Sequence, residues 1–268
     1  MEDIGLQTGW GWHVYGWLFA FGLTMVLTYI ANKDRIFAEW LWPKVSFDVD
    51  KGLADKKREL FQHHVEGHVL EIGAGVGANC RYFDPAKIRK LYLNEPSRAM
   101  HLRLMRTAFD AGFGYAAGYS IENRQTPVEL VQGTAEKITM PPESLDVVVC
   151  TLVLCSVAHP ELVLGQMHRV LKPGGKLLFL EHIAAPRDTE LRRRQERWNW
   201  LWRCLPLDGC CVNRPTDEIL LAEPGFEPVG QGSNHSWISY FDDLSGPALA
   251  SPTCMGGLVK KPAPVPVD

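Results

Sequence analysis

The sequence has no surplus of positive charge: 28 Lys and Arg face 31 Asp and Glu, a formal net charge of −3 over 268 residues. That balance argues against a dedicated nucleic-acid surface, which shows as a basic excess. Its seven cysteines include no pair of C-x-x-C motifs, so spacing gives no metal signature and no metal is expected. Their odd number, with Cys210 and Cys211 adjacent and poorly placed to bridge one another, reads as reduced thiols in a cytosolic setting. There is no internal repeat, which sets aside repeat architectures. At this length the chain holds one full α/β domain with extensions, and two equal domains would be cramped.

The longest absence is of charge, between residues 10 and 31. About 22 residues at roughly 1.5 Å each give about 33 Å, enough to cross a hydrocarbon core of roughly 30 Å. Trp10, Trp12, Tyr15 and Trp17 crowd one end, Tyr29 sits near the other, and Trp40 and Trp42 lie beyond; such rings favour the membrane interface. We expect a retained anchor, with membrane lipid as its partner. A cleavable signal peptide is the rival, yet Glu2 and Asp3 stand where basic residues are needed and no small-x-small site closes the run; a buried core helix is the third reading. Lys33, Arg35, Lys44, Lys51, Lys56, Lys57 and Arg58 follow the run and no basic residue precedes it, so the positive-inside rule puts the remainder in the cytosol. Gly16, Gly22, Thr24 and Thr28 weaken the hydrophobicity, which keeps in-plane insertion open beside a full span. Pro43 is expected to end this tract. Residues 51–64 then read as a helix, with His63 and His64 as solvated end residues.

Residues 69–80 read Val-Leu-Glu-Ile-Gly-Ala-Gly-Val-Gly-Ala-Asn-Cys. An apolar strand runs into a turn crowded by Gly73, Gly75 and Gly77, where a Cβ would collide with a bound nucleotide or forbid the backbone angles required. A helix behind such a loop would present free N–H groups to the ligand. The register is Glu71-x-Gly73-x-Gly75-x-Gly77 and not the dinucleotide G-x-G-x-x-G. It resembles the first motif of class I S-adenosylmethionine (SAM) methyltransferases, in which the acid lies near the methionine end of the cofactor. A second strand, residues 91–93, leads into Asn94, Glu95 and Pro96. Glu95 lies at about the offset, near 20 residues, at which a carboxylate accepts hydrogen bonds from ribose hydroxyls, with Asn94 as the fallback. Residues 97–109 continue as a helix, 112–119 as a loop and 128–131 as a third strand.

Gly133, Thr134, Ala135 and Glu136 fall where enzymes of that class commonly carry Gly-Asp-Ala-Glu around the adenine, with Thr134 in place of the acid. The β-branched run of residues 145–157 suits a strand covered on both faces, and it exits at the carboxyl edge, where open α/β sheets bind ligands. Thr151, Leu152 and Cys155 are therefore expected to line the methyl end of the cofactor and the acceptor pocket. Residues 160–171 read as a helix stopped by Lys-Pro-Gly-Gly, and residues 176–183 as a fifth strand ending in Glu181 and His182. His182 is a candidate for proton handling, against the commoner structural histidine. A buried thiol such as Cys155 is usually inert. Residues 191–205 combine arginines with Trp198, Trp200 and Trp202, a membrane-surface helix or a solvated helix with an indole face. Short strands near residues 227–229 and 253–259 would complete the sheet.

Taken together, Lys56 to Phe61, the glycine loop with Ala74, Ala78 and Asn79, Asp146 to Val157, Arg169 to Gly175, Glu181 to Ala185 and Asp208-Gly209-Cys210 resemble the membrane-bound alkyl thiol S-methyltransferases. The resemblance implies a doubly wound, Rossmann-like, mostly parallel seven-stranded sheet whose last strand is antiparallel, behind an N-terminal anchor helix. Residues 1–43 are expected as anchor and flank, 44–260 as the SAM-dependent domain and, from its prolines at 262, 264 and 266, 261–268 as a disordered tail. The activity implied is methylation of small lipophilic thiols or hydrogen sulfide at the endoplasmic reticulum or on lipid droplets. The expected cofactor residues are Glu71, Gly73, Ala74, Gly75, Gly77, Asn79, Glu95, Pro96, Gly133, Thr134, Ala135, Thr151 and Leu152; the catalytic candidates are His182, Asp208 and Cys155. Methylation of a lipid oxygen or carbon, and a fold retained as a membrane adaptor without turnover, stay as alternatives.

Overall fold

The computed structural model describes residues 9–115, 126–204, 209–229, 238–242 and 248–262. Nine strands form one sheet: β1 (Gly67–Ile72), β2 (Ile88–Asn94), β3 (Phe113–Tyr115), β4 (Thr126–Val131), β5 (Leu145–Thr151), β6 (Leu171–His182), β7 (Phe226–Pro228), β8 (Ile238–Asp242) and β9 (Pro252–Lys260). The order is β3-β4-β2-β1-β5-β6-β9-β7, and β8 also pairs with β9. Every pairing from β3 to β6 is parallel, and β9 is antiparallel to β6, β7 and β8. The doubly wound sheet with a reversed last strand is therefore present, with two additions to the expected seven strands. β3 extends one edge out of residues expected as loop. β7 and β8 share the other edge end to end, against Leu258–Lys260 and Pro252–Gly256 of β9.

The helices are α1 (Gly9–Ile36), α2 (Trp42–Gly52), α3 (Ala54–Phe61), α4 (Arg98–Asp110), α5 (Pro160–Val170), α6 (Glu190–Cys204) and α7 (Thr216–Ala222). Alternation along β5 sends Val147 and Val149 into a core with Leu60, Phe61, Leu91, Leu93 and Leu104 of one face, and Val148 and Cys150 into a second core with Val163, Leu164, Met167 and Leu220 of the other. A period-two strand with both faces covered must be apolar at successive positions, as β5 is from Val147 to Cys150.

Two local expectations are overturned. Pro43 does not end a helical tract: α1 passes through a π-turn (Phe37–Leu41) into α2, and Pro43 occupies the first turn of α2 directly after that irregularity. The glycine loop is not followed by an α-helix. Only a 3₁₀ turn (Cys80–Tyr82) stands between β1 and β2: Gly73, Gly75 and Gly77 all adopt positive φ, outside the right-handed helical region, and Pro85 follows the turn.

α1 holds the one helix among the described residues long and apolar enough to cross a membrane, Val14–Lys33, and none of that stretch is buried. Thr24 and Asn32 each donate to a carbonyl one turn back in the same helix, which satisfies the Thr24 hydroxyl hydrogen and one of the two Asn32 amide hydrogens. Tyr29 donates to the carbonyl of Cys204 at the end of α6. Below the π-turn, buried Asp50 joins Lys57, Tyr82 and Arg81, tying α2 and α3 to the turn behind the glycine loop.

Candidate functional site

The carboxyl ends of β1, β2, β4, β5 and β6 open into one cavity of about 990 Å³. Its roof is the segment leaving α1: Phe37 and Ala38 bury themselves against Val76 and Met100, and Phe37 stacks on Trp42 with ring centroids 5.4 Å apart. Trp42 lies so close to the loop that a Cβ on Gly75 would stand 2.9 Å from its Nε1, and a Cβ on Gly73 would strike Val153. Both glycines have positive φ and line the cavity, whereas Gly77 faces away and packs on Leu104 and Thr107 of α4.

Three of the loop amides are spent internally. Ala74 N–H bonds the Asn94 carbonyl, Gly75 N–H bonds a Glu95 carboxylate oxygen at 2.8 Å, and Gly77 N–H bonds the Ala74 carbonyl. A dinucleotide needs such amides, and a helix N-terminus, for its pyrophosphate; this loop offers neither from these positions. Glu95 is buried at the cavity wall, its other oxygen accepting from Ser97 N–H at 2.7 Å, and burial raises its pKa. Each oxygen keeps a lone pair for a ligand hydroxyl.

Glu71 stands one layer behind the wall. Asn79 Nδ2 donates both to Glu71 Oε1 at 2.8 Å and to Thr151 Oγ1 at 2.7 Å, and Thr151 lines the cavity. Burial pushes the Glu71 carboxyl up to about 7. Glu71 Oε2 and Asn79 Oδ1 are buried without a hydrogen-bond partner. Asn94 is structural: its amide holds the Val131 and Gly133 carbonyls and so fixes the next loop. Pro96, Thr134, Ala135 and Leu152 line the cavity with Glu95, and Gly133 makes the turn behind them at φ +142°. Leu152 has φ +58°, a left-handed conformation that side chains avoid and that marks a chain held against its preference.

At the other end of the same cavity lie Cys155, His182, Trp202 and Cys210. His182 Nδ1 is 4.0 Å from Cys155 Sγ and 3.7 Å from Cys210 Sγ. The Cys210 thiol and burial push the Cys155 thiol well above the usual range, so it is no ready nucleophile. Asp208, the other candidate base, lies outside the described residues. A group that sequence reasoning left without a role organises this end: Glu181 is fully buried, and its carboxylate accepts the N–H of Val153 at 3.0 Å and of Cys155 at 3.2 Å and faces the Cys150 thiol. Burial raises its pKa. An acid in an apolar strand, immediately before the candidate histidine, was the available signal. Arg214 clamps the same turn through the Leu154 and Val157 carbonyls, and Cys211 N–H bonds the Cys155 carbonyl.

A model described as a methyltransferase domain matches residues 48–229. The chain is 34% identical over 176 residues to thiol S-methyltransferase TMT1B of Homo sapiens and 32% identical over 192 residues to thiol S-methyltransferase TMT1A of Homo sapiens. The matches take in 62% and 63% of this chain and 66% of each relative's length, just under two thirds. In fold it resembles the N-methyltransferase NodS of Bradyrhizobium japonicum WM9, solved with S-adenosyl-L-homocysteine, at TM-score 0.55 and 14% identity over 86% of this chain and 97% of that one. The family match spans most of the chain, and it covers the glycine turn, the acid closing β2 and the strand exits that share the cavity. The chain belongs to the methyltransferase domain family, with the Rossmann-like fold of the SAM-dependent methyltransferases.

Proposed function

We propose that the protein is a SAM-dependent thiol S-methyltransferase working at a membrane surface on small lipophilic thiols or hydrogen sulfide. One observation carries the reading. The glycine turn is closed by the Glu95 carboxylate and its Ala74, Gly75 and Gly77 amides are already bonded, a cradle suited to a cationic nucleoside without phosphates, and the same cavity ends in a thiol-lined, indole-backed pocket.

The residues fit that cofactor. Gly73 and Gly75 line the cavity at positive φ, packed so closely on Val153 and Trp42 that neither could carry a Cβ, Glu95 presents lone pairs for a ribose, Thr134 and Ala135 bound the nucleobase side, and Glu71 supplies negative potential behind Thr151. Bound there, the cofactor supplies a methyl group on a cationic sulfur. The chain's own work is to align an acceptor with that methyl and to keep the site dry, because neutralising two opposite charges is favoured where water is excluded. A thiol of pKa about 8.5 is already a few per cent ionised at neutral pH, so little base strength is needed.

The membrane assignment is supported by α1, which is exposed, apolar and continuous with the cavity roof. An anchor there places the cavity beside the lipid in which apolar thiols dissolve. We propose a cytosolic catalytic domain held by residues 10–31 at the endoplasmic reticulum or a lipid droplet.

The test is product analysis by mass spectrometry, with full-length protein in lipid nanodiscs offered SAM and a thiol, a phenol or a quinone. S-methyl product from the thiol alone is expected. Methylation of oxygen or carbon only, or no calorimetric heat with S-adenosylhomocysteine, would remove the proposal.

A further inference from the structure

We propose that Cys155, His182 and Cys210 form a three-ligand site for a soft divalent cation, zinc by chemistry, whose fourth position opens into the acceptor end of the cavity and takes the substrate thiol. The proposal rests on the thiol reading above and adds to it what activates the sulfur.

The three donors come from three separate segments: the turn after β5, the end of β6, and the turn opened by Gly209 at φ +72°. Their ligand atoms nonetheless lie within 4.8 Å of one another. Bonds of about 2.3 Å to sulfur and about 2.0–2.1 Å to nitrogen in a tetrahedron set ligand atoms roughly 3.5–3.8 Å apart. The observed 3.7 and 4.0 Å from His182 Nδ1 to the two sulfurs need only a small contraction. Two thiolates and an imidazole are the donors that favour zinc over magnesium or calcium. Two thiolates also neutralise a divalent ion, which lowers the cost of placing it in a site where both cysteines are buried.

The surroundings hold the ligands where they are. Glu181 fixes the Cys155 N–H, the Cys155 carbonyl accepts the Cys211 N–H beside Cys210, and Arg214 locks the carbonyls on either side of Cys155. Three protein ligands and one open position is the arrangement of catalytic zinc, whereas structural zinc is closed by four.

The step balances without another reactant. The acceptor thiol binds the fourth position and gives its proton to solvent, since a coordinated thiol is deprotonated outright. Its sulfur lone pair then forms the bond to the methyl carbon as that carbon's bond to the cationic sulfur breaks. A methyl thioether and S-adenosylhomocysteine leave, and the cation stays. Under this proposal His182 lends its ring lone pair to the metal and is not the proton acceptor.

Full-length protein in nanodiscs, stripped with a chelator and titrated with cobalt(II) alone, tests the site without any turnover. One equivalent should bring up thiolate-to-cobalt charge-transfer absorption in the ultraviolet and tetrahedral d–d bands in the visible. Addition of a small apolar thiol should shift those d–d bands. Cys155→Ser and Cys210→Ser should each lose most of the charge-transfer intensity, and Cys204→Ser, an exposed cysteine outside the cluster, should keep it. Metal analysis of unstripped wild type gives a second readout that needs no variant to fold, with about one zinc per chain expected. Absence of both bound zinc and the cobalt spectrum, or a Cys155–Cys210 disulfide in freshly isolated protein, overturns the site. Full thiol methylation by metal-free protein overturns it while leaving the proposed activity standing. A normal cobalt spectrum that no thiol perturbs, in protein that methylates none, overturns the activity and the open fourth position together.

Discussion

At one end of the cavity the wall is backbone and carboxylate; at the other it is thiol, imidazole and indole. Glu95, Gly75 and Asn94 are locked by hydrogen bonds between neighbouring strand ends, so the donor end is set as soon as β1, β2 and β4 pair in register. The acceptor end is drawn from residues as far apart as Cys155 and Cys210, with Trp202 and Ala250 packed beside them. It is held by two keystones, Glu181 and Arg214. A rigid end suits an invariant cofactor, and an end assembled from loops suits an acceptor that differs between relatives sharing one fold.

The largest effect is expected from Glu95→Ala. It removes ligand hydrogen bonds to a charged group, worth about 1.5–3 kcal/mol each, and strands two buried amides. Affinity for S-adenosylhomocysteine should fall about 100-fold or more by calorimetry, with membrane association unchanged. Near-normal affinity would show that the donor end is not organised around this carboxylate. Next comes Glu181→Gln, which turns an NH₂ toward amides that need acceptors. Unfolding free energy should drop by about 1–3 kcal/mol, and KM for the thiol should rise while the donor dissociation constant stays within about twofold. Equal losses at both ends would erase the distinction between them. Smaller again is Trp202→Ala, where losing part of an apolar wall worth about 1.5–3 kcal/mol for a full side chain should raise KM for a lipophilic thiol about tenfold and leave KM for hydrogen sulfide nearly unchanged.

The same division explains what could be read from residues alone. The donor end follows from local order: an acid and glycines after one apolar strand, an acid after the next, at a spacing that parallel pairing converts into proximity. β1, β2, β5 and α5 were legible for the same reason, each being a strongly patterned segment. The Cys155, His182 and Cys210 cluster was not, since its spacing resembles no ligand motif and only the return of the chain after α6 brings Cys210 back to β6. β3 and β8 were missed because short edge strands carry little pattern of their own; they take their conformation from β4 and β9, which they pair. The helix expected behind the glycine loop gave way to turns because Gly73, Gly75 and Gly77 all take positive φ, a conformation that the loop motif itself does not express.

The finest probe of the contrast is a proton. Glu71 is held near pKa 7 by burial, well above an ordinary carboxyl, so at pH 7 about half of the folded molecules carry its proton. In the apo protein the sign follows from linkage: the folded state holds the proton more tightly than the unfolded state. Its contribution to stability is therefore fully present below the ordinary carboxyl pKa and is lost as pH rises through about 7. Glu71→Gln should flatten that slope. A cationic ligand at the donor end favours the charged carboxylate, so binding of SAM should release up to about half a proton at pH 7 and more near pH 6. S-adenosylhomocysteine, which lacks the sulfonium charge, should release less. Calorimetry in two buffers of different ionisation enthalpy measures both values. Equal release by the two ligands would place the responding group near the amino-acid charges they share and not near the sulfur, moving Glu71 away from the methyl that the acceptor end must reach.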